Sequence, residues 1–166
     1  LDYALKANAF GMQNLVQLSQ DLGVPGSDGL ATLHTSTCYV AGDCTGQVDE
    51  IDPLLFPFPK ADELDNSHWD PAREIAECVD MVDNVRHRSN DAFRQSAFLD
   101  RAKKRLQSRN EPCRGSALEA EVAKVKADYE KKLLIDAGQE RARFWGWHNV
   151  YTLSLIHISE PTRPSS

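Results

Sequence analysis

Apolar side chains recur at three- and four-residue spacing along the start of the chain. Leu5, Met12, Leu15, Val16 and Leu18, with Asn8 in the same register, predict an amphipathic helix over residues 1–22. Gly23 and Pro25 end it. A turn-forming stretch at 26–29 follows, and the pattern then changes. Residues 30–37, Leu-Ala-Thr-Leu-His-Thr-Ser-Thr, are rich in β-branched and apolar types and predict a short strand. Helix, loop and strand in that order form half of a parallel α/β unit. Gly42, Gly46, Pro53, Pro57 and Pro59 then punctuate a loop over 38–59, in which Tyr39–Val40 and Gln47–Val48 could pair as a small hairpin.

From residue 71 to 147 the spacing is helical again. Asp70 is a candidate N-cap and Pro71 suits a first helical turn. Ile75, Cys78, Val82 and Val85 form one apolar stripe. Phe93, Ala97, Phe98, Ala102 and Leu106 form a second. Glu111-Pro112 and Gly115 interrupt the pattern, and Ser116 opens a long helix. Its apolar face carries Leu118, Val122, Val125, Tyr129, Leu133 and Ala137, and its other face is dense in Lys and Glu. Gly138 is a point where that helix could bend or break. The bland reading is a helical cap packing its stripes together. The basic run Arg101-Ala102-Lys103-Lys104-Arg105 reads first as a solvated face, with phosphate binding, such as that of coenzyme A, as the functional alternative.

Composition narrows the classes. The 166 residues suit one domain, with 41% hydrophobic and 27% charged positions, as in a soluble globular chain. A net charge of -6 argues against nucleic acid as a partner. No run reaches the roughly 18 apolar residues of a membrane helix. Cys38, Cys44, Cys78 and Cys113 are scattered without a C-x-x-C, so a reducing cytoplasm without disulfides or structural zinc is the expectation.

Three places could carry chemistry: Asn8 in the first helix, Ser36-Thr37 at the strand end, and Tyr151. Singly, each has a structural reading, as a bridging amide, loop caps and a packed phenol. Together, in their contexts, they resemble extended short-chain dehydrogenase/reductases, and among these the bacterial-type fatty acyl-CoA reductases. Asn8-Ala9-Phe10-Gly11-Met12-Gln13-Asn14-Leu15 looks like the family's N-x-x-G-x-x-N-(L/V) helix. His34-Thr35-Ser36-Thr37-Cys38-Tyr39-Val40 is similar to its H-V-S-T-x-Y-V segment, and Gly46-Gln47-Val48-Asp49-Glu50 to the stretch that follows. Residues 140–152, with Trp145-Gly146-Trp147 before Tyr151, look like the approach to its Y-x-x-x-K motif. The resemblance covers nearly all of residues 1–152, including a helical insertion at about 60–147.

The resemblance implies an α/β fold, a fragment of a Rossmann-type NAD(P)-binding domain. In isolation such a fragment would be mainly helical with one or a few short strands. It implies NADPH or NADH as cofactor and a fatty acyl-CoA thioester as substrate, reduced to aldehyde or alcohol. Hydride addition leaves negative charge on oxygen, which needs a hydrogen bond and a proton donor in place. Tyr151 would donate the proton and Thr37 would orient the carbonyl, with Ser36 as the neighbouring candidate. Asn8 would support the relay, and Tyr151 and Ser36 would contact the cofactor. Other expectations within the superfamily are a carrier-protein thioester reductase or an NAD-dependent epimerase/dehydratase. A helical interaction module without catalysis is the expectation from outside it.

Two departures accompany the resemblance. Leu155 stands four residues beyond Tyr151, where the family has Lys, and the Gly-rich dinucleotide fingerprint is absent from the chain. Residues 153–166 resemble translated sequencing adapter, so the expectation is an internal fragment with a foreign tail, inactive by itself.

Overall fold

The computed structural model describes residues 1–23, 30, 41–43, 45–49, 58–64 and 69–148. The first helix forms in three pieces. A short α1 (Asp2–Ala4) runs into a π-helical stretch (Leu5–Phe10) and then α2 (Gly11–Asp21). The π-turn closes where the Gly11 N–H reaches back to the Lys6 carbonyl as well as that of Asn8. Only the first half of this helix is buried, through Leu1, Ala4, Leu5 and Ala9. Three further helices follow: α3 (Pro71–Ser89), α4 (Ala92–Ser108) and α5 (Gly115–Trp145).

The α/β expectation, a Rossmann-type fragment with one or a few strands, is corrected. The described residues are mostly helical and contain no strand. Leu30, the first residue of the predicted strand, is a bend. Its N–H donates to the Ser19 carbonyl at 3.0 Å, and its own carbonyl accepts from Ser19 Oγ at 2.8 Å. Both groups that a ladder would need are therefore engaged by α2. Gln47 and Val48 belong to no ladder. Residues 31–37, Tyr39 and Val40 lie outside the described residues.

The chain divides into two compact units, one of Leu1–Cys78 with Gly138–Ser166 and one of Val79–Ala137. In the second, Phe98, Ala102 and Val125 form a core with Leu118, Val122 and Tyr129 against it. The Phe98 and Tyr129 rings lie 5.3 Å apart, and the Arg94 guanidinium covers the outer side of Tyr129 at 5.0 Å. Glu121 is buried among these helices and accepts from Arg109 Nη2 at 2.6 Å. That bond holds the carboxyl below its usual range. Arg105 adds a contact to Glu121 and a bond to Asp128 at 2.9 Å.

The expected α4 stripe is only partly inside. Phe98, Ala102 and Leu106 are buried, while Ala97 is exposed and Phe93 is 84% exposed. At about 100° per residue Phe93 stands some 140° from Phe98 around the helix, which turns it outward. Gly138 does not break α5, which runs through it for 31 residues.

In the first unit the start of α3 is fixed as its sequence suggests. Asp70 Oδ1 accepts from the Ala72 N–H at 2.9 Å, and Pro71 follows the cap with no N–H to satisfy. The unit's apolar centre is aromatic. Phe58 lies 5.1 Å from Trp69 and 4.6 Å from Trp145 between ring centroids. Trp147 beyond them is 1% exposed.

Two glycines let the backbone cross this centre. Asp43 N–H donates to the Gly146 carbonyl at 3.0 Å, and Lys60 N–H to the Trp145 carbonyl at 3.3 Å. Gly42 and Gly146 have φ of 64° and 93°. A Cβ at Gly42 would meet Pro59 Cγ at 2.4 Å, and one at Gly146 would meet Lys60 Cγ at 2.8 Å. Gly115, with φ of 60°, faces open space instead. Gly115→Ala therefore costs only the left-handed strain, about 1–2 kcal/mol. Gly146→Ala adds overpacking of about 1–3 kcal/mol to that strain. Urea denaturation of the two variants should show the larger loss for Gly146→Ala; equal losses would mean that the crossing is loose.

Candidate functional site

Of the four residues singled out from the sequence, Asn8 is described. It is half-buried inside the π-helical stretch, one turn before Gly11. Such stretches are rare and concentrate at functional sites, because the extra residue per turn re-aims side chains and loosens the backbone ladder. Ser36, Thr37 and Tyr151 lie outside the described residues, as do Leu155 and the 153–166 tail. The crossing at Gly42 and Gly146 ties together the stretches nearest to them. Gly42 is five residues beyond Thr37, and Gly146 five before Tyr151.

A polar cluster sits beside this crossing. Glu74, in the first turn of α3, is only 3% exposed. Arg141, near the end of α5, grips it with the Nε–Nη2 edge of its guanidinium. Nε donates to Glu74 Oε1 at 2.7 Å, and Nη2 donates to Glu74 Oε2 and to Glu77. The same guanidinium lies 5.6 Å from the Phe144 ring and 5.4 Å from the Trp145 ring. Hydrogen bonding to Glu74 pushes the arginine's pKa further up. Cys78, one turn along α3, donates its thiol to Glu74 Oε1 at 3.6 Å.

The sequence reading placed Cys78 on an apolar stripe and missed the pair beside it. Glu74 and Arg141 are 67 residues apart, and nothing in local spacing links them. The one local signal is that Glu74 precedes Cys78 by four residues and so shares its buried face.

Chemically, the cluster is closed. Burial, followed by the charge of Glu74, pushes the Cys78 thiol up from its ordinary 9.0 to about 12, so it is no nucleophile near neutrality. Cys78 and Cys113 are both free thiols, and Cys38 and Cys44 lie outside the described residues. Among the described residues no His, Cys, Asp and Glu group could hold a metal ion. The two residues expected to contact NAD(P), Tyr151 and Ser36, are not described. The close contacts at Gly42 and Gly146 are made by Pro59 and Lys60 of this chain. The basic run of α4 is divided between burial, an ion pair and solvent. Ala102 is buried, Arg105 is engaged by Asp128, and Arg101 and Lys104 are exposed. No described helix is long and apolar enough to cross a membrane.

Two outcomes follow from the cluster. Arg141→Ala strands a buried carboxylate and should cost about 3–5 kcal/mol in urea denaturation; a loss below about 1 kcal/mol would place Glu74 in water. A raised thiol pKa means that the fold favours the protonated form. Its contribution is whole below pH 9 and is lost as pH climbs toward 12. The stability of the parent relative to Cys78→Ala should therefore be flat from neutrality to about pH 8 and fall above pH 9. A difference that stays constant to pH 11 would contradict it. Comparison with protein-family models, curated proteins and solved structures returns no match to this chain.

Proposed function

We propose that this chain is part of an NAD(P)H-dependent reductase of fatty acyl-CoA thioesters that works in the cytoplasm. The observation that carries the reading is the crossing of Gly42–Asp43 with Gly146. It joins the two stretches that lead to Thr37 and Tyr151, and five residues reach at most about 18 Å. The His-Thr-Ser-Thr-Cys-Tyr-Val context of Thr37 and the Trp-Gly-Trp approach to Tyr151 support the same pairing. So does the position of Asn8 in a π-helical stretch.

In this reading NAD(P)H supplies the hydride. Thr37, with Ser36 beside it, hydrogen-bonds the thioester carbonyl, and Tyr151 delivers a proton to the oxygen as charge builds there. Loss of coenzyme A from the first adduct gives the aldehyde, and a second reduction gives the alcohol. Free Cys78 and Cys113 suit a reducing compartment. A second reading, a helical module that binds through an apolar face, is favoured by the exposed leucines of α2.

The test is NADPH oxidation with a long-chain acyl-CoA by the reductase that contains this chain. Tyr151→Phe and Thr37→Val should each lower kcat by roughly 10²–10⁴-fold. Turnover of nucleotide sugars alone, or variants that match the parent, would sink the reading.

A further inference from the structure

Positive charge is gathered in one part of this acidic chain. The unit Val79–Ala137 holds 13 of the 19 Lys and Arg residues but 10 of the 25 Asp and Glu residues. It is therefore net +3 in a chain of net -6, and the remaining residues carry -9. Within it α4 has five cations, Arg94, Arg101, Lys103, Lys104 and Arg105, and one anion, Asp100. Two of the five are committed, Arg94 to the Tyr129 ring and Arg105 to Asp128. Arg86, Arg109 and Lys126 of the same unit also have acidic partners. Arg101, Lys103 and Lys104 form no ion pair among the described residues. Phe93, Ala97, Arg101, Lys104 and Ser108 fall within about 80° of one another around the helix. All five are exposed, and Phe93, at 84%, is the most exposed large apolar side chain described.

We propose that this outer face of α4 docks the protein on an anionic phospholipid bilayer, with Phe93 at the headgroup boundary and Arg101 and Lys104 against lipid phosphates. Lys103 flanks the face and adds to its field. Local charge decides the attraction, because salt screens charges beyond about 10 Å. A basic cluster on an amphipathic helix meets that condition at an anionic surface. Phe93 selects the bilayer over an acidic protein. A protein partner would need a pocket for a ring that stands clear of its helix, whereas a bilayer takes an aromatic ring at headgroup level without one. The opposite face of α4 is already committed, through Phe98, Ala102 and Leu106, to the helical core. The helix therefore meets the lipid with its charged side and one ring, a contact that is shallow and reversible.

Cosedimentation of the full chain with vesicles tests the face. At about 0.1 M salt it should bind phosphatidylcholine vesicles that contain about 30% phosphatidylglycerol and leave pure phosphatidylcholine unbound. Raising the salt to about 0.5 M should release it. Arg101→Gln with Lys104→Gln should weaken binding at least about tenfold, since each basic residue near such a surface contributes roughly fivefold. Phe93→Ser should weaken it about threefold or more. Lys124→Gln with Lys131→Gln makes the same change of charge at exposed positions of α5 and should leave binding within about twofold. Every substituted position is exposed, so far-UV circular dichroism should match the parent throughout. A tryptophan placed by Phe93→Trp should be quenched by brominated acyl chains more strongly than the parent's own tryptophans. An absence of vesicle binding, or equal binding to phosphatidylcholine alone, would overturn the proposal. So would equal weakening by the α5 pair, which would make the attraction diffuse, or a Phe93→Trp signal quenched no more than the parent's.

Discussion

The first unit is organised around one buried charge. Glu74 keeps its carboxylate out of water, a placement that costs several kcal/mol unless both oxygens are bonded. Arg141 meets that demand with a planar fork, and its faces lie against Phe144 and Trp145, so charge pairing and aromatic packing are one arrangement. Position adds to it. Glu74 sits in the first turn of α3 and Arg141 in the last turns of α5, where the helix dipoles favour an anion and a cation respectively. The Cys78 thiol takes up what remains of the carboxylate's bonding capacity, and its ionisation is suppressed in consequence.

The crossing at Gly42 and Gly146 depends on this arrangement. Arg141 fixes the last turn of α5, and that turn presents the Trp145 and Gly146 carbonyls to Lys60 and Asp43. A Cβ on either glycine would occupy space held by Pro59 or Lys60. The aromatic rings of Phe58, Trp69 and Trp145 then close around a backbone contact rather than around a side-chain hole. The crossing thus rests on backbone bonds screened by rings, which tolerate little change in volume.

Helix boundaries were legible because their causes are local. Asp70-Pro71 reads as a helix start, and the Ala72 N–H to Asp70 bond is that start. The apolar register of α3 was legible for the same reason, since Cys78, Val82 and Val85 all lie inside. Phe93 was misplaced because a stripe drawn through every apolar residue ignores angle, and five residues do not return to the same face. The strand at 30–37 was read from residue type alone, yet pairing partners decide whether such a run becomes a strand, and Leu30 is held by Ser19 instead. Glu74 with Arg141 was illegible in principle, because a pair 67 residues apart is made by packing. Of the candidate site, the sequence offered Asn8, Ser36, Thr37 and Tyr151 by resemblance. Of the two glycines at the crossing, Gly42 appeared there only as loop punctuation and Gly146 only within Trp145-Gly146-Trp147.

The same accounting of charge separates α2 from the other helices. The long α5 survives with a solvated face because Lys and Glu residues cover it, and pairs such as Lys126 with Glu130 lend it local support. In α4 the exposed positions are likewise polar apart from Ala92, Phe93 and Ala97. α2 has neither device. Its Gln and Ser residues form side-chain bonds at the edges, Gln17 to Asp21 and Ser19 to Leu30, while the leucine face has none. A helix with no buried residue, and no ion pair among the described residues, gains little from local interactions alone.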